Sequence, residues 1–240
     1  MSNWTGAQKR IYILAILLFI AILAYLSSVR SKKIEIIESK AENDLIRISI
    51  SMPKFNYLND SKFQEELNNS IENKVKSFVE ETRKIAQQDK EEGVQLPYEA
   101  NVTTEIHYQD EDFVSLIIFY YQFTGGAHGL TSVETYNLDI KNSKLLALSD
   151  ILSRDAQEIV KKEILSQIES QSDFFFPEAK DYISNDDIFV RNFLIDSTGV
   201  TFLYNHYEIA PYSTGMPMFS ISWDKLKQHV IYPQIKNKYK

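Results

Sequence analysis

Five consecutive residues, Gly125-Gly126-Ala127-His128-Gly129, hold three of the chain's seven glycines and one of its four histidines. A histidine among glycines can move a proton, and a glycine-rich turn can cradle a phosphate, but each chemistry demands its own spacing. A phosphate-binding loop needs Gly-Lys-Ser/Thr after its glycines, to bring an ammonium and a hydroxyl to phosphate and magnesium, and the run lacks both. The strained elbow that presents a nucleophilic serine needs Gly-x-Ser-x-Gly, which does not occur. His-Glu-x-x-His is also missing, and His206-Tyr207-Glu208 cannot form a deaminase zinc site without cysteines, of which there are none. His107, His128 and His206 lack the paired spacing of metal ligands, so neither metal nor cofactor is expected. General acid–base work by His128 with Glu208 or Asp139 keeps the right residue types and remains an alternative. The plainer reading makes the glycines a wide turn between two strands, with His128 at a strand end.

The elements that would carry this turn follow from periodicity. Ile46, Ile48 and Ile50 alternate with Arg47, Ser49 and Ser51, the period of a strand with one buried face, and Pro53 is expected to end it. The stretch from Ser61 to Gln88 repeats Phe63, Leu67, Ile71, Val75, Phe78, Thr82 and Ile85 at steps of three and four. That is one apolar helical stripe, with Ser61 and Gln64 placed for a capping box. Strands then run through "ANVTTEIHY", "DFVSLIIFYYQF" and "GLTSVETYNLDI". Asp110, Glu111 and Asp112 read as the hairpin turn between the first two, since calcium-loop spacing is absent. His107 reads as a half-buried strand residue. A second helix spans Ser153–Ser170, with Ile159, Val160, Ile164 and Ile168 inward. "FFFP" reads as an aromatic plug. A hairpin turned by Gly199 and a short strand "MFSIS" follow, and the last residues read as a frayed basic tail. The expected fold class is α+β, antiparallel sheets packed by two main helices and preceded by one N-terminal transmembrane helix.

That leading helix is Ile11–Val29, nineteen residues without a charge, bracketed by Lys9-Arg10 and Arg30. At about 1.5 Å per residue it nearly spans a hydrocarbon core of about 30 Å. No small-x-small cleavage site follows it, so it reads as an uncleaved signal-anchor after a short cytoplasmic tail, residues 1–10. The body, residues 31–240, keeps 23 of the 26 cations against all 33 acids, a charge of −10. Phosphate binding needs clustered cations, so a nucleic-acid partner is not expected. A cationic partner suits that charge, which also keeps the body soluble.

Two stretches, "YYQFTGGAHGLTSVETYNLDIKNSKLLALSDIL" and "NFLIDSTGVTFLYNHYEIAPYSTGMPMFSIS", together resemble the exported part of the RsiV anti-sigma factor family. That part also stands beside the catalytic domain of PdaC-type peptidoglycan deacetylases. The resemblance covers nearly all of residues 33–230. It implies two consecutive small α+β domains, PdaC-like over 33–130 and RsiV-like over 131–230, with residues 231–240 as the basic tail. It further implies a body held outside a bacterial membrane by residues 11–29, which binds rather than catalyses. Ectodomains of the RsiV type bind lysozyme, a strongly cationic protein. Residues 1–10 are short for a sigma-binding segment and nothing after Val230 resembles a deacetylase, so the binding part alone is expected.

The expected function is thus a membrane-anchored extracytoplasmic module that recognises lysozyme or a cell-wall component such as peptidoglycan. The alternatives are a cell-wall hydrolase using His128 and a carboxylate, or a structural envelope protein that assembles through its sheet. The expected contact residues are Tyr120, Gly125, Gly126, His128, Tyr207, Glu208 and Tyr212. Their aromatic faces and hydroxyl handles suit sugar or protein surfaces. The residues alone also permit these tyrosines to be core and the loops to be mere turns.

Overall fold

The computed structural model describes residues 34–94 and 97–238. The tail and signal-anchor expected over residues 1–29 lie outside them. No helix of the described residues is long and apolar enough to cross a membrane.

The first strands, β1 (Glu35–Glu42) and β2 (Ile46–Lys54), form an antiparallel hairpin. Asn43 closes its turn by accepting from the Leu45 and Ile46 amides with its side-chain oxygen. The strand does not stop at Pro53, which pairs with Ile36 near the end of β2, where a missing N–H is tolerated. Helix α1 (Ser61–Glu91) follows. Its cap lies one residue before the expected one: the Asp60 carboxylate accepts from the Lys62 and Phe63 amides. Gln64 turns back instead to the Leu58 amide. The buried stripe is Leu67, Ile71, Val75, Val79, Thr82 and Ala86, so Phe78 and Ile85 flank it rather than fill it.

Strands β3 (Tyr98–Gln109), β4 (Phe113–Phe123), β5 (Leu130–Asp139) and β6 (Lys144–Leu145) complete a six-stranded sheet in sequence order. One pair departs from the expected antiparallel arrangement: β2 and β3 are parallel. The cause is α1, whose 31 residues carry the chain about 46 Å back along the sheet before β3 enters. His107 lies in β3 as expected, with its side chain 30% exposed, but at an irregularity of the pairing. The register shifts between Ile106 and Tyr108, and the bulged His107 reaches Asp196 at 3.2 Å. The acidic turn is confirmed: Asp110 accepts from the Asp112 and Phe113 amides, and its cation is Lys238, 2.7 Å away.

β4 is buried on both faces. Tyr120 meets Phe78 of α1 edge-on, so Leu116 and Ile118 share the α1 side by strand alternation, while Ile117 packs with Leu194 and Leu203 on the other. Those partners belong to a second, three-stranded antiparallel sheet of β7 (Asn192–Ile195), β8 (Gly199–Leu203) and β9 (Met218–Ser222). Its opposite face packs on α3 (Ala156–Ser170) through Phe193, Phe202, Phe219 and Ile221. The shorter helices are α2 (Leu148–Ile151), α4 (Ala179–Asn185), α5 (Trp223–Leu226) and α6 (Pro233–Lys238). The basic tail does not fray over its described part: α6 buries Ile235 and pairs Lys238 with Asp110 and Asp112. The aromatic plug is partial, with Phe175 stacked on Phe219 and Phe174 left 56% exposed.

The two sheets meet along a buried polar seam. β7 is an edge strand, and side chains of β4 and β5 take up its free backbone groups. The Ile195 amide donates to Ser115 Oγ (3.0 Å) and Asn137 Oδ1 (3.2 Å), Asn137 Nδ2 donates to the Phe193 carbonyl (2.7 Å), and the Phe193 amide donates to Thr135 Oγ1. An edge that would otherwise invite aggregation is thereby closed.

Gly199 does not supply the β7–β8 turn by a positive φ. Asp196 makes that turn by accepting from the Thr198 and Gly199 amides. Gly199 is required because a Cβ there would sit 2.0 Å from the Ile221 carbonyl oxygen of β9. Gly199→Ala should therefore destabilise by about 2 kcal/mol, read as a lower urea midpoint with an unchanged slope.

Candidate functional site

The loop between β4 and β5 is shaped by its glycines. Gly125 and Gly126 lie at φ 91° and 87°, where side chains are strained. Gly129 has a different reason: an added Cβ would meet the Gln122 carbonyl oxygen and the Tyr121 ring at 2.5 Å. The turn reading of this run holds, and the turn has a consequence, because it presents His128 to a second loop.

That second loop leaves β8 at Leu203 and returns at Met218. Its residues enclose His128 in an aromatic stack. The His128 ring lies on Tyr212, centroids 3.9 Å apart at 13°, and His206 covers the other face of Tyr212 at 4.5 Å and 25°. His128 Nδ1 is 3.0 Å from the Gly129 carbonyl, which can only accept, so Nδ1 carries the proton. In the neutral ring Nε2 is then an acceptor, and the Tyr207 hydroxyl donates to it at 3.0 Å. Tyr207 holds this pose at φ 64°, in the left-handed region, and the residue is 49% exposed. Backbone strain on an exposed aromatic is a feature that function, more than packing, tends to retain.

Partial burial first, and the neighbouring His128 second, push the His206 imidazole below its ordinary 6.5. Its Nδ1 is buried without a hydrogen-bond partner. A group whose folded value is depressed favours the fold above the unfolded value, and that share is lost as pH falls through the folded value. The stack should therefore loosen on acidification below about 6.5. Histidine proton resonances should show His206 titrating below the ordinary range, and His128→Gln should move it upward without restoring it fully.

Glu208 stands apart from the stack. It faces a half-closed ionic network centred on Arg191, whose guanidinium contacts both Asp186 oxygens through Nε, at 2.9 and 2.8 Å. The same guanidinium pairs with Glu208 and accepts company from the Tyr182 hydroxyl, to which Nη2 donates at 2.7 Å. The other Glu208 oxygen accepts from the Asn205 amide at 2.8 Å, and the Tyr204 hydroxyl donates to Asp186 at 2.8 Å. Side-chain exposure is 15% for Arg191, 4% for Asp186 and 15% for Glu208. This network ties the start of the second loop to the segment before β7, and so positions Tyr207 without touching it.

Of the expected contact residues, the structure brings His128, Tyr207 and Tyr212 together, with Gly125 and Gly126 in the supporting turn. Glu208 belongs to the anchor. Tyr120 is elsewhere, buried beneath α1 with its hydroxyl donating to Glu134 at 3.3 Å. Asp139, the other carboxylate considered for His128, is buried and engaged by Asn142 and Tyr232. Sequence reasoning missed His206 as the second face of the stack and Arg191 as the anchor. A charge inside the apolar run "FVRNFLI" was the available sign of the latter. Among the described residues no group of three or more His, Asp or Glu could hold a metal ion.

Comparison with known proteins divides the chain where the two loops divide the stack. Residues 39–131, which include His128, match the family described as Deacetylase PdaC, and residues 148–224, which include His206, Tyr207 and Tyr212, match a family described as a protein of unknown function, DUF3298. A curated relative is the peptidoglycan-N-acetylmuramic acid deacetylase PdaC of Bacillus subtilis, 24% identical over 196 residues. The match takes 75% of this chain and 40% of that protein, so the chain spans less than half of the relative's length. Among solved structures, a DUF3298 family member from Bacteroides fragilis superposes with a TM-score of 0.66 at 19% identity, over 88% of this chain and 98% of that one. A DUF3298 family protein from Pseudomonas aeruginosa gives 0.58 at 20% identity, over 85% and 95%. At these identities the two structures speak for the fold. With both domain models matched in order and a PdaC relative spanning them, the chain carries a PdaC-type N-terminal domain followed by a DUF3298 domain.

Proposed function

We propose that this protein is an extracytoplasmic, cell-wall-related binding module, anchored in a bacterial membrane by residues 11–29, that recognises lysozyme or a cell-wall component. The observation that carries the reading is the stack of His128, Tyr212 and His206 with the exposed, strained Tyr207. It joins one loop from each family domain into a single aromatic and polar face. Such a face offers flat apolar area with hydroxyl and imidazole handles at low entropic cost, as recognition sites do. Both carboxylates considered as proton partners for His128 are engaged elsewhere, which favours binding over hydrolysis. The body charge of −10 suits a cationic partner.

The test is Tyr207→Ala in a fragment of residues 34–240, against chicken-type lysozyme. Tyr207 is half exposed and its backbone is strained, so the variant should fold with near-normal stability. Affinity should fall about tenfold or more, the scale of an aromatic anchor. Unchanged affinity in the folded variant would remove Tyr207 from the interface and this face from the proposal.

A further inference from the structure

The three-stranded sheet has two edges, and only one is closed. β7 is capped by the polar seam. On β9, the Pro217 carbonyl accepts from the Tyr204 amide, which fixes which backbone groups face β8. By strand alternation Phe219 and Ile221 face β8, and Met218 and Ser220 face outward. Consistent with that, the Ser220 carbonyl accepts from Gln167 Nε2 at 3.1 Å. Among the described residues no hydrogen bond closes Met218 on the outward side.

A groove of about 360 Å³ opens along this end of β9. Phe174, Phe175, Met216 and Met218 give it apolar walls, Gln171 and Thr214 give it neutral polar ones, and no ionisable side chain lines it. Phe174 is 56% and Met218 48% exposed, large apolar side chains left beside unpaired backbone. An uncharged groove on a body of charge −10 does not select a cation. Free N–H and C=O groups in strand geometry are complementary to another extended backbone, and the adjoining apolar walls to a side chain projecting from it.

We propose that the Met218–Ser220 edge of β9 accepts an extended, uncharged peptide segment by strand addition, with one apolar side chain of that segment seated between Phe174 and Met218. This site borders the turn that carries Tyr212, since Ser213 and Thr214 line the groove, but none of the stacked side chains His128, His206 and Tyr212 lines it. Met218 and Ser220 supply the backbone bonds, and the Phe174 wall supplies the side-chain preference. The amide of Gln167 marks the inner end of the site, where the Ser220 carbonyl is already taken.

The experiment uses five capped heptapeptides that alternate threonine with one apolar residue, valine, isoleucine, leucine, methionine or phenylalanine. They are titrated into the isotope-labelled body to about 1 mM. At least one should shift and protect the Met218 and Ser220 amides from exchange. N-methylation of that peptide's central amides, which removes backbone donors and keeps every side chain, should weaken it about tenfold or more. Phe174→Ser, at an exposed position that leaves the core intact, should do the same. If none of the five perturbs β9, or if N-methylated peptide binds equally well, strand addition is overturned. Shifts centred on His128 and Tyr212 instead would assign the peptide to the other face and overturn it equally.

Discussion

Arg191→Met should lower stability by about 3–5 kcal/mol, the scale for removing one partner of a buried ion pair. The reason is not the lost attraction but what remains. Asp186 is 4% exposed and Glu208 15% exposed at the side chain, and without the guanidinium two carboxylates face each other in a poorly hydrated site. Tyr204 and Tyr182 can each donate one hydrogen bond, which does not offset two charges. Adding Asp186→Asn to Arg191→Met should therefore recover at least half of the loss, since the orphaned charge is then gone. Urea unfolding of the single and double variants reads this directly. If Asp186→Asn recovers nothing, the cost lies in the lost stacking of the Arg191 guanidinium over Tyr204, its Cζ 4.8 Å from the ring centroid, and the account based on the orphaned carboxylates fails. The network also holds Asn205 through Glu208, so loosening it should disturb the Tyr207 loop before the sheet.

The second large effect is expected at the seam. Asn137→Leu keeps the volume but leaves the Phe193 carbonyl without its donor and the Ile195 amide with Ser115 alone. Three buried bonds are lost with one side chain, the third being the one its Oδ1 accepts from Ser115 Oγ, so about 3 kcal/mol or more is expected. Ser115→Ala by itself should cost less, because Asn137 still accepts from Ile195. The double variant should cost more than the sum, since only then is the Ile195 amide orphaned. Strict additivity would mean that the two acceptors do not share that amide. The seam lies between the two family matches, so its loss should also uncouple unfolding of the two sheets, seen as a broadened or biphasic transition.

Much of this architecture is legible in the sequence because it obeys local rules. The α1 stripe, the turn at Asp110–Asp112 and the pairing of β7 with β8 all follow from spacing and turn chemistry. The parallel join of β2 and β3 does not, because pairing direction depends on where a long helix returns the chain. The cap of α1 moved by one residue because Asp60 and Ser61 are both competent, and the backbone turn chose between them. Asn137 and Thr135 occupy the polar half of an alternating strand, which locally looks like a wet face. They are withdrawn from water because β7 lies across them, a fact of tertiary structure. The glycine run was readable as a turn, whereas the stack it creates was not. Tyr207 and Tyr212 lie some eighty residues away from His128 in sequence, and nothing local marks His206 as the second face of the same ring. Tyr120 shows the reverse: its residue type suits a site, and alternation on β4 places it under α1.

The most direct test of the proposed function is a calorimetric titration of residues 34–240 with chicken-type lysozyme at low and high salt. Screening weakens the attraction between this fragment, whose 21 cations and 33 acids leave a charge of −12, and a cationic protein, but leaves close aromatic contacts largely intact. Micromolar or tighter binding that persists at high salt is the predicted result. Binding that vanishes with salt, or none at either concentration, would contradict lysozyme recognition and leave cell-wall glycans as the ligand to be tried on the same face.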